Sequence, residues 1–340
     1  MVKMDKTEEF IECAEEELEN AICKFDKPKR FKKRIASRFF HEIVRVRAAG
    51  ERRNGLKQVR AYEEKIQPNG FSLEELNKEY LENPNAYTQK YTQCKPPTNL
   101  GFNTLNKGYN ARITRNNLKN VEYEMQDLGL SYVLTKNKEK ISFFDVGVGR
   151  SLENMVTNLD TLKIPYDGTV VELNKKSLDE FKKRYDGHLV YKNATLADPN
   201  FKWEKQHDIG SMHSVLYLNP TVLRPIVLNN FVNGLKPGGV GVLTTLLDGW
   251  HTHSGCIITT NTEEDALAGS SEIGPRLDGL RELMPWSLFN QKTIVYKAPN
   301  ITDLSNSLGQ YGCKIRKELA WPNNEHYPWQ FYGGVIIEKK

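Results

Sequence analysis

The sequence lacks the features that mark membrane, secreted and metal-binding proteins. It contains no run of about 18 apolar residues, the length that a helix needs to cross a bilayer. Its start, MVKMDKTEEF, is too charged for a secretory signal. The five cysteines are scattered, and no Cys-x-x-Cys pair suggests zinc or a redox dithiol. We therefore expect a cytoplasmic protein with reduced cysteines and no membrane partner.

Size and composition predict a globular chain without internal repeats. With 340 residues, 39% of them hydrophobic and 10% aromatic, it can bury a substantial core. This length suggests one large domain with an appendage, or two domains. We expect an N-terminal helical region over residues 1–98 and an α/β domain over residues 99–340.

The N-terminal region changes the sign of its charge. Residues 3–19 carry eight acids and two lysines, whereas residues 24–60 carry fourteen Lys or Arg against three acids. In the basic part, apolar residues recur every fourth position, which predicts a basic amphipathic helix: Phe31, Ile35, Phe39 and Ile43. Such a helix can bind RNA or an acidic peptide, or pair with the acidic helix before it. We favour the paired hairpin, followed by a polar linker from Pro68 to a boundary near Thr98.

Beyond this boundary, strands alternate with helices. Five apolar runs are separated by helical or turn-rich segments: ISFFDVG, GTVVEL, HLVYKNA, HDIGSMHSVLYL and GGVGVLTTLL. Near the end of the chain, ITDLSNSLGQYG predicts a helix, and CKIRKELAW and QFYGGVIIEKK predict strands. The segment 248–300 is too long for a simple connection, so we expect an insertion that determines the substrate.

A glycine turn follows the first strand in FFDVGVGRSLENM, residues 143–155. Gly147 and Gly149 let a ligand approach bare backbone, and the next helix offers unpaired N–H groups. A dinucleotide fingerprint requires a third glycine where this chain has Leu152, so a pyrophosphate is not the expected ligand.

The order of these elements resembles class I S-adenosylmethionine-dependent methyltransferases over residues 140–340. The resemblance is carried by Asp145-Val-Gly147-Val-Gly149, by Glu172 after the second strand, by Asp208 opening the fourth, and by LKPGG before the fifth. It implies an α/β fold: a seven-stranded, mostly parallel Rossmann-like sheet, helices on both faces, and a last strand inserted antiparallel. It also implies an enzyme with S-adenosylmethionine as its cofactor.

The resemblance assigns the cofactor contacts to residues after the first four strands. Asp145 would act on the methionine moiety, Glu172 on the ribose hydroxyls, and Asn193 with Ala194 on the adenine. The full set of candidate cofactor-binding residues is Tyr109, Asp145, Gly147, Gly149, Glu172, Asn193, Ala194 and His213. Tyr109 would belong to a lid before the first strand.

Acceptor chemistry is expected where the fourth and fifth strands end. Candidate catalytic residues are His213, Tyr217 and His251; candidate substrate-binding residues are Ser214, Tyr217, Asp248 and Trp250. His213 has the alternative interpretation of a core histidine bonded to a backbone carbonyl. His251 and His253 lack a further ligand at readable spacing, so no metal is expected.

These observations predict a methyltransferase acting on a nitrogen or oxygen of a small molecule, with amines among the candidates. A narrower likeness to enzymes of the histamine N-methyltransferase type points the same way. Two alternatives stay open. One is an RNA or peptide methyltransferase that binds its substrate through residues 24–60, and the other is a non-catalytic, cofactor-binding partner protein.

Overall fold

The structure is a computed structural model that describes residues 6–26, 72–91, 118–247, 256–260, 292–296, 299, 301–322 and 331–340, apart from positions 137, 148, 186, 188, 217, 218 and 220. The helices are α1 Lys6–Asp26, α2 Leu73–Glu82, α3 Pro84–Lys90, α4 Leu118–Leu134, α5 Arg150–Leu162, α6 Lys175–Arg184, α7 Arg224–Asn233 and α8 Ile301–Gln310. The strands are β1 Ile141–Val146, β2 Tyr166–Val171, β3 Leu189–Lys192, β4 His207–His213, β5 Leu235–Leu247, β6 Cys256–Thr260, β7 Lys292–Tyr296, β8 Cys313–Pro322 and β9 Phe331–Lys339.

Seven strands form one sheet in the order β3-β2-β1-β4-β5-β9-β8. The neighbours from β3 to β5 are parallel, and β9 runs antiparallel to both β5 and β8. The predicted α/β fold, with its antiparallel inserted strand, is therefore confirmed, and the chain has the fold of class I methyltransferases. β6 and β7 pair separately as a two-stranded antiparallel sheet within the segment 248–300.

Helices cover both faces of the sheet because the central strands are apolar on both sides. All six residues of β1 are buried, as expected for a parallel strand between two helical layers. One face packs against α1, α4, α5 and α6 through residues such as Phe143 and Ile209. The other face packs against α2, α3, α7 and α8 through residues such as Phe144 and Met212.

The acidic helix α1 lies on α4, with Ala14 and Leu18 in the shared core. Its Glu15 forms an ion pair with Lys317 of β8 at 2.9 Å. The basic segment with which it was predicted to pair lies almost entirely outside the described residues. The domain boundary at residue 98 therefore stays a prediction.

The segment after Pro68, expected to be a polar linker, contains α2 and α3. Ser72 and Glu75 form a capping box that starts α2. Asp303 of α8 accepts hydrogen bonds from the N–H groups of Leu73 and Glu74, both at 2.7 Å. α2 was missed although Leu73, Leu76 and Tyr80 have helical spacing and are buried. α3 has only seven residues, too few to be stable without tertiary contacts. None of the helices in the described part of the chain is long and apolar enough to traverse a membrane.

Candidate functional site

One face of the sheet changes from apolar to polar at the carboxyl ends of its strands. Deeper in the sheet, this face is formed by Phe143, Ile209 and Val242. Two residues further along, the same three strands carry Asp145, Ser211 and Thr244. The register pairs Asp145 with Ser211, and His213 with Thr244. Ligands of open α/β sheets bind at this edge, so these residues form the candidate site.

The glycine turn between β1 and α5 adjoins these polar residues. Gly147 has a φ of +77°, and a Cβ atom there would overlap Cγ2 of Val215. At Gly149, a Cβ atom would meet only the Gly147 carbonyl oxygen, at 3.9 Å. Gly149 precedes the first residue of α5 and provides no side-chain cap. The turn thus offers bare backbone and helix N–H groups to a ligand.

Asp145 stabilises this turn from beneath. Its side chain is fully buried, and its two oxygens accept hydrogen bonds from Ser211 Oγ at 2.5 Å and Ser151 Oγ at 3.0 Å. Burial raises the pKa of the Asp145 carboxyl to about 7, although the two serines oppose the shift. Since both oxygens have protein partners, a contact between Asp145 and the methionine moiety stays a prediction.

Glu172 and Asn193 lie where β2 and β3 end. Glu172 Oε1 accepts from the backbone N–H of Asn174 at 2.6 Å, and Asn174 caps α6. Asn193 Nδ2 donates to the carbonyls of Glu172 and Leu173 at 2.9 and 2.8 Å, which joins the two loops. Ala194 is partly buried against the neighbouring core. Their predicted contacts with ribose and adenine are compatible with these positions but untested.

The structure adds Glu122, which sequence reasoning missed. Glu122 Oε1 accepts hydrogen bonds from Thr244 Oγ1 at 2.8 Å and from Ser214 Oγ at 3.0 Å. Burial raises the pKa of this carboxyl, and the two hydroxyls oppose the shift. Glu122 lies on α4, ahead of the glycine turn and outside every motif, so no local pattern marked it.

His213 ends β4 next to this carboxyl. Its Nδ1 lies 3.0 Å from Thr244 Oγ1, and burial lowers the pKa of the imidazole to about 4. Its Nε2 is buried and has no hydrogen-bond partner among the described residues. The next residue, Ser214, has a φ of +58°, a conformation rare for serine and typical of functional loops. His213 is thus bonded to a side chain, rather than to the backbone carbonyl considered as its alternative.

Other acids and predicted residues are placed elsewhere. Asp208 lies at the amino end of β4. Burial raises the pKa of its carboxyl, but hydrogen bonds from Lys138, Ser142 and Lys236 outweigh this effect and lower the pKa. No group of three or more His, Cys, Asp or Glu side chains suited to a metal occurs in the described ranges. Five predicted site residues lie outside the described residues: Tyr109, Tyr217, Asp248, Trp250 and His251.

Comparison with known proteins yields similarity of fold. No protein-family model and no curated protein matches the chain. A solved 1,6-didemethyltoxoflavin-N1-methyltransferase from Burkholderia thailandensis is 10% identical over 64% of this chain and 78% of its own, with a TM-score of 0.42. The N-methyltransferase NodS from Bradyrhizobium japonicum is 12% identical over 68% and 97%, with a TM-score of 0.39. An S-adenosylmethionine-dependent methyltransferase from Clostridium acetobutylicum is 10% identical over 70% and 98%, with a TM-score of 0.45. These values are low, so a function has to be inferred from the residues of the chain itself.

Proposed function

We propose that the chain binds S-adenosylmethionine at the carboxyl edge of its sheet and transfers the methyl group to a nitrogen or oxygen of a small molecule. The observation that carries this proposal is the turn at Gly147, which has a positive φ and leads into α5. This turn lies beside the polar end of β4, which pairs with β5, and Glu172 follows β2 at the same edge of the sheet.

The residues at this edge fit the cofactor. At Gly147 a Cβ atom would overlap Val215, so this turn has room only for backbone. Glu172 offers carboxylate oxygens of the kind that accept from ribose hydroxyls, and Asn193 holds its loop in place. The cofactor would supply a methyl group on a sulfonium, which is a good leaving group.

Transfer of such a methyl group needs little from the protein beyond alignment. The main task of the chain is to hold the acceptor lone pair in line with the methyl carbon and to exclude water. His213 Nε2 is buried at the carboxyl edge of the sheet. From there it can accept a hydrogen bond from the substrate that receives the methyl group.

The polar groups at this edge, among them His213 Nε2, are buried, which favours a small acceptor, with amines among the candidates, over a polymer. The insertion at 248–300, which contains the paired strands β6 and β7, is the element proposed to select it. Binding of RNA or peptide through residues 24–60 stays an alternative prediction. The cytoplasmic location expected from the sequence also stays a prediction.

The first prediction tests cofactor binding at Glu172. Glu172→Ala should weaken S-adenosylmethionine binding by ~1.5–3 kcal/mol, because hydrogen bonds to a charged group are lost. Titration calorimetry measures the difference. Glu139→Ala is the matched control, since Glu139 is exposed and lies just before β1, at the opposite edge of the sheet.

Equal affinities of the folded Glu172 variant and the parent would refute the assignment of Glu172. Binding of NAD in place of S-adenosylmethionine would refute the proposed function. The Glu139 variant should bind like the parent, because it is far from the proposed site.

A further inference from the structure

A chain of three side chains crosses from α4 to the end of β4. Glu122 Oε1 accepts from Thr244 Oγ1 at 2.8 Å, and Thr244 Oγ1 lies 3.0 Å from His213 Nδ1. The register of β4 against β5 places Thr244 directly beside His213. The three side chains are therefore held in place by strand pairing at one end and by the packed helix α4 at the other.

The number of hydrogens available determines which atom donates in each of these hydrogen bonds. A threonine hydroxyl has one hydrogen, and while Glu122 is ionised Thr244 donates it to that carboxylate. The Thr244 oxygen can then only accept, so His213 Nδ1 must carry the hydrogen between the two. Ser214 donates to the same oxygen of Glu122, which keeps that oxygen an acceptor. A neutral imidazole protonated at Nδ1 leaves Nε2 with a free lone pair.

His213 is also level with the glycine turn. The register pairs Val146 with Met212, so His213 is one position beyond this pair, as Gly147 is on β1. Its Nε2 is buried and has no partner in the described part of the chain. A buried acceptor without a partner is costly unless a ligand supplies the hydrogen.

We infer that Glu122 and Thr244 are positioning residues that hold His213 as the Nδ1–H tautomer. His213 Nε2 is then free to take the proton of a methyl-accepting substrate that bears an N–H or O–H group. This inference rests on the proposed function and narrows its substrate class. Acceptors without such a hydrogen, such as tertiary amines and thioethers, have no use for this base.

The step balances in atoms and charge. The acceptor lone pair forms the new bond to the methyl carbon, and the carbon–sulfur bond breaks with its electron pair passing to sulfur. The proton of the acceptor passes to His213 Nε2. The resulting imidazolium keeps its Nδ1–H bond to Thr244, whose hydroxyl faces the Glu122 carboxylate.

The test reads the tautomer in the free protein and turnover in the loaded enzyme. In protein labelled with ¹⁵N-histidine, long-range proton–nitrogen correlations distinguish Nδ1–H from Nε2–H, and His213→Gln identifies the His213 signals among the seven histidines. We expect Nδ1–H in the parent and in Thr244→Ser, which keeps the hydroxyl. Thr244→Val should shift His213 towards Nε2–H and lower kcat roughly 10- to 100-fold, with the S-adenosylmethionine Kd unchanged.

Thr169→Val controls for the loss of a buried hydroxyl in the same sheet, because Thr169 is on β2, outside this chain of contacts. An Nε2–H tautomer in the parent overturns the inference whatever the activity. A shifted tautomer with unchanged turnover in Thr244→Val overturns the positioning role. Absence of S-adenosylmethionine binding overturns the proposed function and the catalytic step, and leaves the tautomer as a separate, measured result.

Discussion

At the scale of single residues, the site depends on backbone conformations that few side chains tolerate. Gly147 and Ser214 both have positive φ, and they lie at the ends of β1 and β4, where the candidate ligand site is. Ser214 is kept in this conformation by its N–H, which donates to the Thr244 carbonyl at 2.9 Å, and by its hydroxyl bond to Glu122. The conformation of Ser214 is thus over-determined by contacts with neighbouring elements.

Gly147→Ala should lower the free energy of unfolding more than Gly312→Ala does. The two glycines have nearly equal φ, +77° and +76°, so the backbone cost of ~1 kcal/mol is shared. Only at Gly147 does the new methyl group meet a neighbour, Val215, whereas Gly312 has open space. We expect losses of ~2–4 and ~1 kcal/mol, measured by urea unfolding.

Val215→Ala gives this comparison its internal check. Combined with Gly147→Ala, it should recover part of the lost stability, because it removes the atoms that the new methyl group overlaps. Equal costs at the two glycines would mean that the turn is not crowded.

At the scale of elements, α4 and α5 meet through a polar contact beside the site. Asp127 Oδ1 accepts from Asn154 Nδ2 at 2.7 Å and Asn158 Nδ2 at 2.6 Å. Burial raises the pKa of Asp127 to about 7; the two asparagines oppose this shift, and Glu124 and Glu17 add to it. The pKa of Asp127 in the folded protein is above its value of ~4 in the unfolded chain. As the pH rises, the unfolded chain therefore loses the Asp127 proton before the folded protein does.

Stability attributable to Asp127 is therefore present near pH 4 and is lost as the pH rises to about 7. Asp127→Asn keeps an oxygen that accepts from both asparagines and removes the charge. It should raise the free energy of unfolding by ~1–2 kcal/mol at pH 8 and change it little at pH 5. Urea unfolding at both pH values measures this.

Asp179→Asn is the control for that experiment, since Asp179 is exposed on α6. It should leave the pH dependence as it is in the parent. If Asp127→Asn altered stability equally at both pH values, the carboxyl would not be titrating in this range.

The elements also show what the sequence can predict. Strands such as ISFFDVG and GTVVEL were found because a strand buried on both faces is apolar throughout. The pairing of His213 with Thr244 was not foreseen, because it depends on the register of β4 against β5. Glu122 was missed for a related reason. The packing of α4 on the sheet brings it to the site, and no local sequence pattern marks it. Asp145, the two glycines after β1 and Glu172 after β2 were predicted as cofactor-binding residues from their type and order, and that role stays a prediction.

At the scale of the whole molecule, N-terminal helices pack on both faces of the sheet. α1 lies on one face through Leu18, and α2 and α3 lie on the other through Leu76 and Tyr87. Tyr87 also donates from its hydroxyl to the carbonyl of Val222 at 2.8 Å. These contacts indicate that α1, α2 and α3 share the cores of the sheet domain.

Leu18→Ala should consequently destabilise the whole chain. The Leu18 side chain is fully buried, and such truncations cost ~2–5 kcal/mol. Circular dichroism and tryptophan fluorescence should report one coincident unfolding transition at lower urea. Leu81→Ala is the control, because Leu81 on α2 is 40% exposed and its truncation should cost little. A separate early transition of α1 would show that α1 is an independent appendage.

The position of β9 has a consequence for synthesis of the chain on the ribosome. Among the described strands β9 is the last to be made, yet it lies between β5 and β8. Until it emerges, β5 presents an open edge that includes the buried residues Val242 and Leu243, and β8 has no neighbour in the sheet. An open apolar edge is a template for pairing with other chains. The nascent chain is thus most exposed to aggregation between the synthesis of β5 and that of β9, a window of about 84 residues or several seconds at typical elongation rates.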